Sequence, residues 1–216
     1  MQVRLPFDSR RTQLVRAALE RAEKDGIDAV TIRRVADDAG VSVGMVHYCF
    51  ENKEDLMSAM IETNIDELAA GLRMAFAYAA TVGEEATAGT TGPVALSAQL
   101  QAGLRTMWQL IELTPSRQRL AYETICFSLR RQDDPTNPSA RLAKVHKELA
   151  LAAAAEFLSV CAEQTGTEWT VTVERVARLC LSLLDGVVMH WLVTRDTEAA
   201  WEDIDQIIEM VVQQAR

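Results

Sequence analysis

The chain has 216 residues, of which 49% are apolar and 25% are charged, a composition typical of a globular protein with one small and one larger domain. This balance excludes disordered and collagen-like chains. The formal charge of −9 at pH 7 excludes nucleic-acid binding by bulk attraction, so any contact with a nucleic acid must come from a local basic patch.

The spacing of the cysteines and the length of the apolar runs indicate the cellular compartment. Four cysteines lie far apart without a C-x-x-C pair, at Cys49, Cys126, Cys161 and Cys180. This spacing suits reduced thiols better than a disulfide framework or a zinc site, and we expect all four to be buried apolar side chains. The N-terminus lacks the apolar run of a signal sequence, and no uninterrupted run of about 18 apolar residues occurs. The sequence predicts a cytoplasmic chain outside the membrane, without metal or cofactor.

Apolar residues recur at intervals of three and four, whereas alternating runs joined by Asn-Gly or Asp-Gly turns are missing. This pattern predicts an all-α chain of about nine helices. Four of them precede the first long break, with starts at Asp8-Ser9, Thr31, Ser42 and Asn52, whose side chains can cap free backbone donors. The first is expected to stop at Gly26, the second near Ala39, the third near Cys49 and the fourth near Ala80.

The segment from Val82 to Pro93 is rich in Gly and Thr, has little apolar surface to bury and is predicted to be a mobile loop. Further breaks at Pro and Gly positions divide the rest of the chain. Five more helices are expected near residues 94–113, 116–132, 138–164, 170–194 and 200–214.

Residues 31–50 fit a helix-turn-helix for steric reasons. Ala36 is small where two helices would cross, and Gly40 supplies a turn residue that tolerates a positive φ. Apolar residues fall where the unit must close against the first helix, at Val35, Ala39, Val41, Val46 and Phe50. Two short helices joined by glycine would produce part of this pattern, but the number and order of the matches favour a helix-turn-helix.

Two strings within this region resemble the DNA-binding domain of the tetracycline-repressor (TetR) family: Val41-Ser42-x-Gly44-x-Val46-x-Tyr48-x-Phe50 and Phe50-x-Asn52-Lys53-Glu54-x-Leu56. The resemblance covers about residues 9–60. It implies a three-helix domain over residues 1–52 that binds double-stranded DNA, and a larger helical domain over residues 53–216 that binds a small-molecule effector and forms a homodimer. The chain departs from the family's usual Tyr at His47 and from its usual His at Cys49.

Val46 and Phe50 are expected to face the core. The residues of the recognition helix that then face outward, toward DNA, are Ser42, Val43, Gly44, Met45, His47 and Tyr48. Arg33 matches a family position that contacts a base, and its fork suits guanine O6 and N7. The resemblance implies contacts with DNA phosphates for Thr31, Ser42, Tyr48 and Lys53. Arg34 completes the predicted DNA-binding set. Residues 1–34 hold eight basic and five acidic side chains, a net charge of +3 against −9 for the whole chain.

Two apolar stripes near the C-terminus predict the dimer interface, which the family forms as a four-helix bundle. The first stripe comprises Val176, Leu179, Cys180, Leu183, Leu184, Val187 and Trp191, and the second Ile204, Ile207, Ile208, Val211 and Val212. Packing of both stripes inside one protomer is the alternative. For the effector, bulky, thiol and charged side chains on the middle helices are candidates, with a core or surface role as the alternative for each: Met107, Trp108, Tyr122, Cys126, Phe127, Arg130 and Asp185. Three further bulky side chains could line a mostly apolar pocket: Phe76, Tyr78 and Phe157.

Together, these expectations predict a repressor that binds a palindromic operator as a homodimer. A small, largely apolar molecule is expected to release it from the operator. The alternative is an architectural or activator protein without small-molecule induction. An enzyme is disfavoured because the sequence has no Gly-rich phosphate loop, no H-E-x-x-H and no G-x-S-x-G, and its three histidines form no metal-ligand set.

Overall fold

The computed structural model describes residues 6–87, 89–131, 133 and 139–216. Over these residues it is helical, apart from connecting turns and an isolated antiparallel bridge between Trp169 and Ala215. A 3₁₀ turn, Ile27–Ala29, follows the first helix. The helices are α1 (Phe7–Asp25), α2 (Ile32–Asp38), α3 (Val43–Cys49), α4 (Lys53–Ala86), α5 (Pro93–Leu113), α6 (Pro115–Leu129), α7 (Ser139–Thr165), α8 (Val173–Thr194) and α9 (Thr197–Val212). The all-α prediction is confirmed.

The predicted caps of α2, α3 and α4 are confirmed, because a side-chain oxygen at each start accepts the backbone N–H three residues further on. The pairs are Thr31 Oγ1 with Arg34 N at 3.3 Å, Ser42 Oγ with Met45 N at 3.2 Å and Asn52 Oδ1 with Asp55 N at 2.9 Å. The start of α1 differs from the prediction. Pro6 occupies the N-cap without a side-chain hydrogen bond, and Asp8 lies in the first turn, where its charge favours the helix dipole.

The predicted loop from residue 82 is wrong over its first five residues, since α4 continues to Ala86. Gly83 is buried there against Gln99 of α5, and a Cβ on Gly83 would lie 3.0 Å from Gln99 Cγ. The Thr87 hydroxyl donates to the Gly83 carbonyl at 2.7 Å and accepts from Gln99 Nε2 at 3.3 Å. These contacts with a neighbouring helix offset the weak helix propensity of the segment. Residue 88 of the predicted loop lies outside the described residues.

The other helix boundaries fall within three residues of their predicted positions wherever the structure describes them. The start of α8 moves from 170 to Val173 because the preceding residues pair with the C-terminus, Thr170 N donating to Gln214 O at 2.7 Å. The start of α9 moves from 200 to Thr197 because Asp196 Oδ1 caps it by accepting from Ala199 N at 3.0 Å.

By packing, the chain divides into two compact units. The first unit comprises residues 1–68 and 116–146, and the second comprises residues 69–115 and 147–216. The division at residues 52 and 53 expected from the sequence stays a prediction. In the first unit, α1, α2 and α3 pack around fully buried side chains: Leu14, Ala18, Val35, Val46 and Phe50. The helix-turn-helix is thereby closed against α1, as the motif predicts.

Helix α6 belongs to the first unit and is hydrogen-bonded to the corner that precedes α2. Glu123 Oε2 accepts the Ile27 N–H at 2.8 Å, and Arg119 Nη2 donates to the Glu23 carbonyl at 2.8 Å. Gly26 makes this corner with φ 87°, a conformation that favours glycine. The carboxylate of Glu123 therefore holds the turn from which α2 begins.

The second unit is held together by α9, which packs on both α5 and α8. Trp108 of α5 is fully buried at the centre of an aromatic cluster, with ring centroids 5.5 Å from Trp191 of α8 and 6.0 Å from Trp201 of α9. A second pair, Phe76 and Phe157, is stacked at 4.6 Å. These aromatic contacts connect α4, α5, α7, α8 and α9 within the unit.

Among the described residues, α8 is one helix that is long and apolar enough to cross a membrane by length and composition. The core helix of a globular protein passes the same test. In the structure, the apolar stripe of α8 is buried against the rest of the second unit, including Val176, Leu184 and Trp191.

Candidate DNA-binding surface

The outer face of α3 is solvent-exposed, whereas its inner face is part of the core. Val43 and Tyr48 are 42% and 69% exposed, and Ser42, Gly44 and His47 are exposed with them. Met45 is half-buried. Since Val46 and Phe50 are buried, the inward and outward sets expected from the sequence are confirmed as burial patterns.

Two exposed cations lie on the helices that precede and follow α3. Arg33 in the first turn of α2 and Lys53 at the start of α4 are both exposed, and neither makes a salt bridge within the part of the chain that the structure describes. Arg34 is exposed and donates to the Ala29 carbonyl at 3.4 Å, which directs it along the surface beside Arg33. A guanidinium and an ammonium that are free of internal partners are available to an external anion.

Most of the other basic residues of α1 are engaged inside the first unit. Arg16 pairs with Glu67 of α4, and Arg21 donates to both oxygens of Asp38 at the end of α2. The Arg21 guanidinium holds the pKa of the Asp38 carboxyl below its usual value, because it stabilises the ionised form. These arginines fix α1 against its neighbours, so the +3 charge counted from the sequence overstates the cations that are free to meet DNA.

Arg11 connects α1 to the end of the recognition helix. Its guanidinium lies 4.5 Å above the centroid of the Phe50 ring and 3.5 Å from Asp55 Oδ1. One turn earlier, the ring of Phe7 meets the ring of Tyr48 edge to face. The first two turns of α1 thus lie against the C-terminal end of α3.

The two departures from the family pattern differ in environment. His47 is exposed on the DNA-facing side of α3, where its ring can donate one hydrogen bond. Cys49 is buried, and burial raises the pKa of its thiol. Cys161 and Cys180 are buried as expected, but Cys126 is exposed on α6, so the expectation of four buried cysteines is wrong for that residue.

A cavity lies in the second unit, between α4, α5, α7, α8 and α9. Its enclosed space is about 20 Å³, room for one water-sized group, and its lining is apolar: Phe76, Leu100, Leu104, Ala154, Phe157, Leu158, Cys180, Leu181, Leu184, Ile208 and Val211. Burial raises the pKa of the Cys180 thiol to about 12, so this side chain is neutral at physiological pH. The chemistry of the lining suits an uncharged apolar molecule.

Phe76 and Phe157, two of the bulky side chains that could line a pocket, belong to the lining of this cavity, but none of the seven candidates for effector contact does. Met107 and Trp108 are buried in the core of the second unit, and Asp185 pairs with Lys147 on its surface. The other four lie on α6 in the first unit, where Cys126 and Arg130 are exposed and Tyr122 and Phe127 are half-buried. The structure therefore does not bring these seven residues together, and an effector role for them stays a prediction.

The predicted dimer residues are core residues of a single protomer. Apart from half-buried Leu183, the set of Val176, Leu184, Val187, Trp191, Ile204, Ile208 and Val211 is buried within the chain. Packing inside one protomer, the alternative weighed from the sequence, accounts for them. The large apolar side chains that α8 and α9 leave exposed are Leu179, which belongs to the first predicted stripe, and Met189, Val193 and Met210, which belong to neither stripe.

Comparison with known proteins agrees with this geometry. The profile of the bacterial regulatory proteins of the tetR family matches residues 14–60, which run from within α1 into α4. The region over residues 14–60 is therefore similar to the tetR family of bacterial regulatory proteins. The nicotine-responsive transcriptional repressor HdnoR of Paenarthrobacter nicotinovorans is 35% identical over 66 residues, 31% of this chain and 34% of the relative. The transcriptional activator FasR of Mycolicibacterium smegmatis is 39% identical over 72 residues, 33% of each chain.

The two curated matches each span about a third of the relative's length, whereas solved structures match over nearly the whole chain. A TetR-family transcriptional regulator from Mesorhizobium loti superposes with a TM-score of 0.70 at 15% identity, covering 98% of this chain and 99% of the other. FadR of Thermus thermophilus, solved with lauroyl-CoA, superposes with a TM-score of 0.58 at 21% identity, covering 94% and 93%. At such identities the likeness shows that the whole chain has the tetR-type fold.

Sequence reasoning missed the residues that hold the DNA-facing elements in place. Glu123 and Arg119 lie about a hundred positions from the backbone groups that they contact. No local pattern indicates such a pairing. Phe7 was also missed, although an apolar residue directly before a predicted helix start is the kind of signal that indicates packing against a neighbouring helix.

Proposed function

We propose that the chain is a transcriptional regulator that binds a palindromic DNA operator as a homodimer and is released from it by a small apolar effector. The observation that carries the DNA part is the recognition helix α3. Its inner face packs on α1, its outer face carries exposed Val43, His47 and Tyr48, and the free cations Arg33 and Lys53 lie on the helices that precede and follow it. An exposed helix between two cations has the layout needed for base contacts flanked by phosphate contacts.

In this proposal Arg33 reads a base, while Lys53 and the hydroxyls of Thr31, Ser42 and Tyr48 hold phosphates. Val43 and Met45 have no strong hydrogen-bonding group, so they recognise sequence by packing against thymine methyl groups. Gly44 leaves the helix surface bare, and the only side-chain atom within 4 Å of a built Cβ there is Ser42 Oγ. The backbone of α3 can therefore approach the groove closely.

The DNA-binding proposal is tested by incubating the protein with random duplexes at roughly physiological salt, where sequence-independent binding is weak, and sequencing the retained DNA. We expect enrichment of a two-fold symmetric site with half-sites about 34–36 Å apart or a multiple of that distance. Failure of folded protein to enrich any sequence would contradict sequence-specific binding. Enrichment of a single asymmetric half-site would contradict the homodimer.

For the dimer, we propose that a second copy covers the exposed apolar side chains of α8 and α9, namely Leu179, Met189, Val193 and Met210. Gly186 is exposed on α8, and a Cβ built on it meets nothing within 4 Å, which leaves room for a partner helix. Val193→Glu is expected to produce monomers in sedimentation analysis. Val94→Glu on α5, at a side chain of similar exposure, is the matched control and should leave the dimer intact.

For the effector, we propose that an uncharged apolar molecule enters the cavity of the second unit and widens it, since the enclosed space of about 20 Å³ holds no more than a water-sized group. The apolar lining supports this, and FadR of Thermus thermophilus, a structure of the same fold, contains a ligand with a lauroyl chain. Octanol and decanol are suitable probes, with stabilisation against heat as the measure of binding. We expect the bound probe to lower affinity for the selected duplex. Saturating binding without a change in duplex affinity would favour a regulator that lacks small-molecule induction.

The direction of regulation is proposed to be repression, since a dimer that occupies an operator near a promoter competes with the polymerase. HdnoR is named a repressor and FasR an activator, so relatives of the DNA-binding domain act in both directions. A reporter gene placed behind the selected operator tests this. Expression that falls when the protein is supplied supports repression, and expression that rises contradicts it.

A further inference from the structure

Two aromatic rings lie side by side on the surface at the C-terminal end of the recognition helix. Phe7 is the first residue of α1 and Tyr48 lies in the last turn of α3. Their ring centroids are 5.6 Å apart and their planes meet at 81°, an edge-to-face pair. Phe7 is 46% exposed although it is purely apolar. An exposed apolar cluster of this kind marks a surface that a partner covers.

The backbone that carries Phe7 is well fixed. The Pro6 carbonyl accepts the Arg10 N–H at 3.0 Å, so Phe7 lies within a hydrogen-bonded turn from the first residue of α1. Arg11, one turn further on and on the same face of α1, places its guanidinium over the ring of Phe50. Two successive contacts thus hold the start of α1 against the end of α3, and Phe7 meets Tyr48 from a rigid base.

Tyr48 by itself is a side chain with rotational freedom. On the described part of the chain its hydroxyl has no hydrogen-bond partner, and most of its surface faces solvent. When a complex forms, restricting a free side chain costs conformational entropy, and this cost lowers affinity. A contact that already restricts the ring in the free protein reduces the cost. The edge of one ring against the face of the other is a directional contact, so it selects an orientation as well as a position.

We propose that Phe7 is a positioning residue for Tyr48, holding the tyrosine ring in the orientation from which its hydroxyl donates to a phosphate of the DNA backbone. The inference rests on the proposed DNA-binding function and adds α1 to the elements that determine affinity. Phe7 itself makes no essential contact with DNA. Its effect on binding passes through the ring of Tyr48.

The experiment is a double-mutant cycle on the duplex selected by the wild-type protein, with affinity measured by fluorescence anisotropy. The four proteins are the wild type, Phe7→Ala, Tyr48→Ala and the double variant. We expect Phe7→Ala to weaken binding about three- to tenfold, the range of an aromatic edge-to-face contact. In the Tyr48→Ala background the same change should have no further effect, because there is no ring left to position.

Three further measurements separate positioning from a general structural role. Phe7→Tyr keeps a ring at the same place and should bind within about twofold of the wild type, since the edge-to-face contact is retained. The salt dependence of binding should be the same in Phe7→Ala and the wild type, because a neutral hydroxyl releases no counterion. The thermal unfolding midpoint of Phe7→Ala should fall by only about 2–4 °C, because a half-exposed side chain loses one edge-to-face contact.

The outcomes are distinct from those that test the proposed function. If the wild type selects no duplex, the DNA-binding function itself fails. If the wild type binds and Phe7→Ala binds equally well, the positioning role is overturned while the function stands. If the losses of affinity from the two single variants add up in the double variant, Phe7 contributes to binding independently of Tyr48, and the positioning role is overturned. A reduced salt dependence in Phe7→Ala would show that the cationic contacts have moved, and this also overturns the inference.

Discussion

The two units differ in where they place the side chains that matter most. Both units leave apolar side chains exposed, but only the first carries them on α3 and at the start of α1, where arginines pair with carboxylates that fix the helices. The second unit buries its largest aromatic side chain, Trp108, at the centre of a cluster and encloses an apolar cavity. Surface changes in the first unit should therefore affect DNA binding, whereas internal changes in the second should affect stability.

The largest expected effect lies in the core of the second unit. Trp108→Ala should lower the free energy of unfolding by about 3–5 kcal/mol, because it removes a fully buried ring and both aromatic contacts. Denaturant titration measures this. Met74→Ala, at a side chain that is 73% exposed, is the control and should change stability by less than about 0.5 kcal/mol. A loss below about 1 kcal/mol for Trp108→Ala would contradict its central place in the core.

The next effect concerns recognition and leaves stability unchanged. Arg33→Ala should weaken binding to the selected duplex by roughly 1–3 kcal/mol and relax preference at one base pair of each half-site. Repeating the duplex selection with the variant reveals that position. Lys24→Ala, at an exposed cation in the last turn of α1, serves as the control and should retain the sequence preference. An equal loss on all sequences would make Arg33 a phosphate contact.

Two glycine substitutions in the second unit should change stability in opposite directions. A Cβ on Gly103 would lie 2.2 Å from Phe157 Cζ, so Gly103→Ala must displace a ring that lines the cavity. We expect a net loss of about 1–2 kcal/mol in the free energy of unfolding, since overpacking outweighs the gain in helix propensity. A Cβ on Gly71 meets nothing within 4 Å, so Gly71→Ala should add about 0.5–1 kcal/mol.

The glycine pair also tests the effector site. Displacement of Phe157 changes the shape of the cavity, so Gly103→Ala should bind octanol more weakly than Gly71→Ala does. Heat stabilisation by the alcohol at equal concentrations gives the comparison. Equal stabilisation of both variants would show that the probe binds elsewhere.

A smaller effect is expected at Lys53. Lys53→Ala should weaken binding to every duplex alike and lower the slope of log affinity against log salt by about one, because one phosphate contact is lost. Anisotropy titrations at several salt concentrations on the selected duplex and on an unrelated duplex measure both quantities. A change confined to the selected duplex would assign Lys53 to base recognition.

The smallest effect concerns acid stability in the first unit. The pKa of Asp38 lies below the usual range of an aspartate in the folded chain because Arg21 stabilises the carboxylate. The pair therefore contributes stability above the unfolded pKa, and this contribution is lost as the pH falls through the lowered value. Asp38→Asn should lose stability near neutral pH and show a shallower decline between pH 5 and 3. Parallel declines in wild type and variant would contradict the role of the pair.

Local sequence determined the helices and the DNA-facing motif. Caps at Thr31, Ser42 and Asn52 act within one helical turn, and the buried set around Val46 and Phe50 follows from helical periodicity. Such features depend on neighbouring residues alone. The sequence therefore predicted α3 and its outward face, which the structure confirms as a burial pattern, whereas DNA contacts by Arg33 and Lys53 stay a prediction.

Only the tertiary structure decided which apolar stripes are internal, where the cavity lies and what holds the DNA-facing elements. Periodicity shows that one face of a helix is buried, but it does not show whether the same chain or a second copy covers that face. Val187 and Ile204 were therefore predicted at a dimer interface, although they pack inside one protomer. Three contacts join positions that are distant in the sequence: Glu123 with Ile27, Gly103 with Phe157, and Phe7 with Tyr48. Such contacts depend on how the helices fold back on one another, which no local pattern records.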